Sequence, residues 1–321
     1  MLFKNAKVKM LLIGLILALA LTGCTQTNNE EVKQEPVQKL KIGMLPTEDS
    51  LPLIVAKQNG YYEEQNLDVE LITFQSAVES QSAIQSGQID GMITDMIVAA
   101  LLKDSGLDIK ITTITYGATP DRRRFAIVAS PNSGIEKAED LKGKSIGISN
   151  NSIIEYTTDK FLEEAGVNPQ DVEKTAIPKI PVRLEMLLNN QIAAANIPEP
   201  LITFAELQGA KVIADDTTNV ALSQAVLIMS NQAIENGLEG FYKAYAKAVE
   251  EINADPSQYK DIFVKNINIP EPIIEKYQVP TYPTLQLPAE KDINDVLDWL
   301  NEKGLLPNST KSQDLTQTGL Y

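Results

Sequence analysis

Leu40-Lys41-Ile42-Gly43-Met44-Leu45-Pro46-Thr47-Glu48-Asp49-Ser50 runs from an apolar segment straight into a turn rich in side-chain oxygens. Its first six residues have the length and apolar content of a short strand, and Thr47, Asp49 and Ser50 offer N-cap oxygens for a helix over about 51–59. Gly60 follows where a left-handed cap closes such a helix. Val69-Glu70-Leu71-Ile72 is a second strand, Gln75 and Ser76 lead into a helix ending at Gly87, and residues 89–93 begin a third strand. Strand, helix, strand, helix, strand calls for a parallel sheet with helices on its faces.

The pattern returns. Ser145-Ile146-Gly147-Ile148-Ser149 passes through Asn150, Asn151 and Ser152 into a helix reaching Ala165, which Gly166 ends. Gly43 stands 45 residues before Gln88, and Gly147 stands 44 before Gln191, so the halves read as variants of one unit. Between them Phe125-Ala126-Ile127-Val128-Ala129 is a strand leading to the turn Pro131-Asn132-Ser133-Gly134, and a return crossing falls near 215–222 after a strand at 211–214. The remainder reads as mostly helical: 240–253, segments starting at Pro256 and Pro270, and 292–303. This tail is expected to pack back on the first lobe. The expected fold is α/β, two-lobed and like the type II periplasmic binding proteins, with two parallel or mixed sheets flanked by helices and a cleft between the lobes. Lobe I is placed at 40–120 with 222–321, and lobe II with the hinge crossings at 121–221. From Leu40 onward about 280 residues remain, near the size at which a single core stops growing.

The N-terminal end carries Lys4, Lys7 and Lys9, an apolar run from Met10 to Leu21, and then Thr22-Gly23-Cys24. This is the order of a secretory signal over 1–23, too short to span a bilayer. Cys24, the sole cysteine, stands where a bacterial lipoprotein signal places its acylated residue, so it is the expected lipidation site and membrane anchor, and 24–39 reads as a polar tether. The expected location is extracytoplasmic, on the bacterial cell membrane. Acidic residues outnumber basic ones 43 to 28, and loss of the three signal lysines would move the net charge from −15 to −18, which disfavours nucleic acid as a partner. With no histidine and one committed cysteine, His-based acid/base chemistry, a thiol nucleophile and a Cys/His metal cluster are all unavailable. No glycine-rich phosphate loop is present, and no cofactor or metal is expected. Paired carboxylates stay open as a catalytic option, as in any acidic protein.

Leu45-Pro46 after the first strand, Gly60-Tyr61-Tyr62 with Asn66-Leu67-Asp68-Val69, Ile84-Gln85-Ser86-Gly87-Gln88-Ile89-Asp90-Gly91 and Asp140-Leu141-Lys142-Gly143-Lys144 resemble the solute-binding proteins of nitrate, taurine and alkanesulfonate importers. That superfamily also includes thiamine-pyrimidine binders. The resemblance covers about 40–300 and implies a non-enzymatic lipoprotein of an ABC importer. Such a protein is monomeric, closes on a small polar solute by hinge motion, and delivers it to a permease and, through that, its ATPase. An aminopyrimidine binder and a non-transport sensor are the alternatives, with a same-fold enzyme further off. Ala193 departs from the pattern, standing at the second-half place that matches Asp90.

In open α/β sheets ligands bind outside the carboxyl ends of the strands. That rule selects Thr47, Asp49, Ser50, Gln75, Ser76, Thr94, Asp95 and Tyr116 from the first half, and Asn150, Asn151, Ser152, Asn196 and Glu199 from the second. Hydroxyls and amides beside helix N-termini suit an anionic head, whereas the carboxylates suit an amine, and a taurine-like zwitterion meets both. Many of these residues serve equally well as helix caps. Arg122, Arg123 and Arg124 read as a solvated basic face near the hinge, and Arg183 as the ion-pair partner of Glu185 or another carboxylate.

Overall fold

The computed structural model describes residues 37–321. The signal segment, Cys24 and nearly all of the tether lie outside the described residues. The first strand begins at Gln38, two positions before the apolar run suggested.

Ten strands form two five-stranded mixed sheets. The first contains β1 (Gln38–Met44), β2 (Leu67–Thr73), β3 (Gly91–Asp95), β4 (Ile109–Tyr116) and β10 (Ala225–Ser230), in the order β2-β1-β3-β10-β4. The second contains β5 (Phe125–Ala129), β6 (Ser145–Ile148), β7 (Glu173–Ala176), β8 (Ala194–Pro198) and β9 (Lys211–Asp215), in the order β7-β6-β8-β5-β9. The orders are equivalent. In each sheet the first three strands of a βαβαβ unit run parallel, and one antiparallel strand inserts before the last: β10 beside β3, and β5 beside β8. Each inserted strand arrives from the other half of the chain, so the chain crosses between the sheets twice.

The duplication extends to atomic packing. A Cβ on Gly43 would lie 2.7 Å from Ile89 Cδ1, and one on Gly147 would lie 2.7 Å from Ile192 Cδ1. In each sheet the first strand passes the tip of the isoleucine that follows the second helix so closely that any Cβ there would displace it.

Residues 225–230 form a strand that the mostly helical reading of the tail leaves out. Ala225-Val226-Leu227-Ile228-Met229 is a central strand with helices over both faces, and all five residues are buried. A strand buried on both sides shows no period-2 alternation, so its sequence does not separate it from a buried helix. The segment after Pro270 is also shorter than expected, a single 3-10 turn over Glu271–Ile273.

The helix Glu290–Glu302 buries Ile293, Val296, Leu297 and Leu300 on one face and packs on Met96–Asp104, beside the first sheet. It also reaches the second: the Trp299 ring meets Tyr156 edge-on at 5.4 Å, Trp299 Nε1 donates to Asp159 Oδ2 at 3.1 Å, and Lys303 Nζ donates to Glu155 Oε1 at 2.5 Å. The tail therefore braces both halves rather than the first alone.

Asp104 holds the last segment in place. Its carboxylate accepts from Asn308 N (3.1 Å), Thr310 N (3.1 Å) and Thr310 Oγ1 (2.8 Å). Burial pushes its pKa up, but these hydrogen bonds outweigh burial and hold it below the ordinary value. A depressed carboxylate stabilises the fold above its unfolded-state pKa, and the contribution is lost as pH falls through the folded one. Protection factors at 308–316, with exchange corrected for its intrinsic pH dependence, are therefore expected to fall on acidification below the ordinary aspartate range. Asp104→Asn should show low protection already at pH 7 and little further change in protection with pH.

Candidate functional site

The carboxyl ends of the parallel strands in the two sheets face one another across a cavity of about 70 Å³. Residues following β1 (Leu45, Thr47, Glu48, Asp49), ending β3 (Thr94, Asp95), following β6 (Ser149, Ser152) and ending or following β8 (Pro198, Glu199) line it. Arg124 and Phe125 enter from the start of β5, Ala77 and Ser80 from the helix Ala77–Gln85, and Ile180 and Arg183 from the helix Ile180–Leu188. The walls are largely apolar, with charged groups at particular points. A wider recess of about 210 Å³ adjoins it, shares Thr47, Ile180, Pro198 and Glu199, and adds Gln75 and Leu201.

Of the sequence-selected residues, Thr47, Asp49, Thr94, Asp95, Ser152 and Glu199 line the cavity and Gln75 the recess. Most also have a local task. Asp95 caps the helix Met96–Asp104 through Val98 N (2.8 Å) and reaches across to accept from Ile153 N of the other half at 3.2 Å. Burial raises its pKa against the pull of these two N–H groups. Ser152 caps the helix Ile153–Glu164 at Ile154 N, 3.3 Å. Glu199 accepts from Arg123 Nε at 2.7 Å and from Thr203 N at 3.1 Å, and burial raises its pKa despite the arginine. Thr47 Oγ1 donates to Asp49 Oδ1 at 2.7 Å.

The others stand apart from the cavity lining. Ser50 Oγ donates to Leu45 O at 2.6 Å, closing the turn, and Ser76 caps the helix Ala77–Gln85 at Glu79 N. Asn196 Nδ2 donates to Ile154 O, Thr157 Oγ1 and Thr158 Oγ1 at 2.9–3.1 Å, bolting β8 to its helix. Tyr116 is buried against Tyr282, ring centroids 5.5 Å apart. Asn150 and Asn151 are exposed, and Asn151 takes the left-handed conformation that lets its N–H reach Glu155 Oε2.

The arginines differ most from expectation. Rather than a solvated face, residues 122–124 are a row of ion pairs. Arg122 meets Glu48 at 2.5 Å, Arg123 meets Glu199 and Glu206, and Arg124 meets Asp49 at 2.7 Å while also donating to Ser223 O. The Arg124–Asp49 pair joins the loop after β1 to the start of β5 with both side chains under 10% exposed.

Arg183 forms no pair with Glu185. Two residues apart on a helix they face different ways, and Arg183 is fully buried while Glu185 is exposed. Arg183 Nη1 donates to Ile177 O at 2.7 Å, whereas Nε and Nη2 have no hydrogen-bond partner. Burial pulls its pKa down to about 10, so it stays charged at neutral pH. One sequence signal could have found it: a cation in the first turn of a helix opposes the dipole and needs a separate reason to be there.

Among the described residues no group of His, Cys, Asp or Glu could hold a metal, and no helix is long and apolar enough to cross a membrane. Two α/β lobes of matched topology enclosing a small cavity at their strand ends define the periplasmic-binding-protein-like class. Within it, the chain belongs to the NMT1/THI5-like family, whose model matches residues 47–259. It is similar to a putative aliphatic sulfonates-binding protein of Escherichia coli K12, 23% identical over 94% of this chain and 95% of that one. A putative thiamine biosynthesis protein of Haemophilus influenzae is 22% identical over 81% and 85%. The crystal structure of the periplasmic aliphatic sulphonate binding protein of Escherichia coli superposes with a TM-score of 0.73 at 20% identity, covering 88% of this chain and 99% of that one.

Proposed function

We propose that this protein is the extracytoplasmic solute-binding component of an ABC importer, non-enzymatic, that takes a small polar solute of the sulfonate, taurine or nitrate kind. The observation that carries this reading is the cavity itself, closed between two sheets and lined from both. A solute there touches residues of each half, so its binding energy favours the closed arrangement over the open one. Residues 40–120 with 222–321 form one moving body and 121–221 the other. Cys24 carries the lipid anchor, 24–39 is the tether, and the closed monomer docks on a membrane permease. Thr47, Asp49, Thr94, Asp95, Ser152 and Glu199 are the sequence candidates placed to meet the solute. The similarity to a thiamine biosynthesis protein supports one alternative solute, an aminopyrimidine.

Isothermal titration of the mature chain against alkanesulfonates, taurine, nitrate and an aminopyrimidine tests the reading. Saturable binding of one of them at micromolar affinity, about −8 kcal/mol, is expected, with compaction in X-ray scattering. Silence toward the whole panel would count against it.

A further inference from the structure

We infer that Arg183 is the anion anchor of the cavity, and that the solute is an organic oxyanion, a carboxylate or sulfonate, gripped by the Nε–H and Nη2–H edge of its guanidinium. The inference rests on the solute-binding reading above and narrows it.

Three observations converge on this side chain. Arg183 lines the cavity and is completely buried. Its one protein hydrogen bond, to Ile177 O, uses Nη1 and leaves Nε and Nη2 without a partner. These two nitrogens make up the side-on fork of the guanidinium, whose parallel N–H bonds match the two oxygens of a carboxylate or sulfonate. A buried guanidinium with no counter-ion is costly, and one carbonyl does not offset that cost. A neutral donor would serve a purely structural contact with Ile177 O equally well.

The neighbouring carboxylates do not neutralise it. Asp49 is paired with Arg124, Glu199 with Arg123, and Glu48 with Arg122 and the Tyr277 hydroxyl. Asp95 faces two backbone N–H groups. Glu48 Oε2 is a further buried atom without a partner. As an acceptor it repels an oxyanion, which directs the anionic head toward the helix Ile180–Leu188. Leu45, Ile93, Phe125, Ile153 and Ile180 line the remaining wall, and they match an apolar body better than a bare inorganic ion or a polar heterocycle.

The test compares wild-type mature chain, Arg183→Lys and Arg183→Met by titration and thermal melting with butyrate, butanesulfonate, taurine and an aminopyrimidine. Wild type should bind butyrate or butanesulfonate, and the two arms separate carboxylate from sulfonate. Two charge-assisted hydrogen bonds correspond to a loss of about 100-fold or more in Arg183→Met, with a smaller loss in Arg183→Lys, which keeps the charge without the fork. Unliganded Arg183→Met should melt no lower than wild type, since it removes an uncompensated buried charge. The anchor is overturned if Arg183→Met keeps its affinity for the oxyanion, or if it melts well below wild type without ligand, as a structural role requires. Binding of the aminopyrimidine alone would overturn the anchor and leave the solute-binding reading standing. Indifference of wild type to all four compounds would overturn the anchor, and indifference to nitrate as well would overturn the solute-binding reading with it.

Discussion

Arg124→Met should destabilise the protein by about 3–5 kcal/mol in urea unfolding, the range for breaking a buried ion pair from one side. Arg124 and Asp49 meet at 2.7 Å with side chains 9% and 6% exposed. Removing the guanidinium leaves the Asp49 carboxylate, 6% exposed, without its counter-charge and with the Thr47 hydroxyl as its remaining side-chain partner, and frees the Ser223 carbonyl that Arg124 also engages. The cost belongs to the orphaned charge more than to the lost attraction, so the double variant Arg124→Met/Asp49→Leu should regain much of it. A double variant no more stable than Arg124→Met alone would show that the pair does not explain the loss. The contact also joins two loops that line the cavity, so Arg124→Met is expected to weaken solute binding even where it remains folded.

Gly91→Ala should cost about 1–3 kcal/mol or more, the range for overpacking a filled core. Gly91 lies in β3, opposite Met229 of β10. A Cβ there would fall on the Met229 sulfur and within 2.6 Å of Ile228 O. The second sheet shows the alternative solution. By register with β1 and β6, Gly91 matches Ala194, and Ala194 faces Ala129 where Gly91 faces Met229. One sheet pairs nothing with a long side chain, and the other pairs two methyls. Met229→Ala alone leaves a cavity and should cost about 2–5 kcal/mol. Gly91→Ala/Met229→Ala imitates the second sheet, so its loss should fall short of the sum of the single losses by more than 1 kcal/mol. Strict additivity in equilibrium unfolding would refute the correspondence.

Much of the fold was legible in the sequence. The strand–helix alternation from Leu40 and from Ser145, the caps at Ser76, Asp95 and Ser152, and the closing glycines are local signals, set by periodicity and by side chains a few residues away. The repeated spacing from Gly43 to Gln88 and from Gly147 to Gln191 pointed correctly to matched halves, because the same close approach recurs in both sheets. The strand-end rule likewise brought Thr47, Asp49, Thr94, Asp95, Ser152 and Glu199 to one cavity.

The sequence by itself determined the strand–helix alternation that opens each half and which strand ends supply the loops at the cavity, but not the central strand Ala225–Ser230, whose burial on both faces erases its period. Only the tertiary structure decided which loop residues reach that cavity and how each charge is matched. Arg122, Arg123 and Arg124 are consecutive, yet their carboxylates come from Glu48, Glu199 with Glu206, and Asp49. Arg183, which the sequence reading paired with Glu185 or another carboxylate, lines the cavity with Nε and Nη2 unpartnered. Secondary structure responds to the nearest few residues, whereas a buried charge responds to whatever the folded chain brings within a few ångströms, most of it far away in sequence.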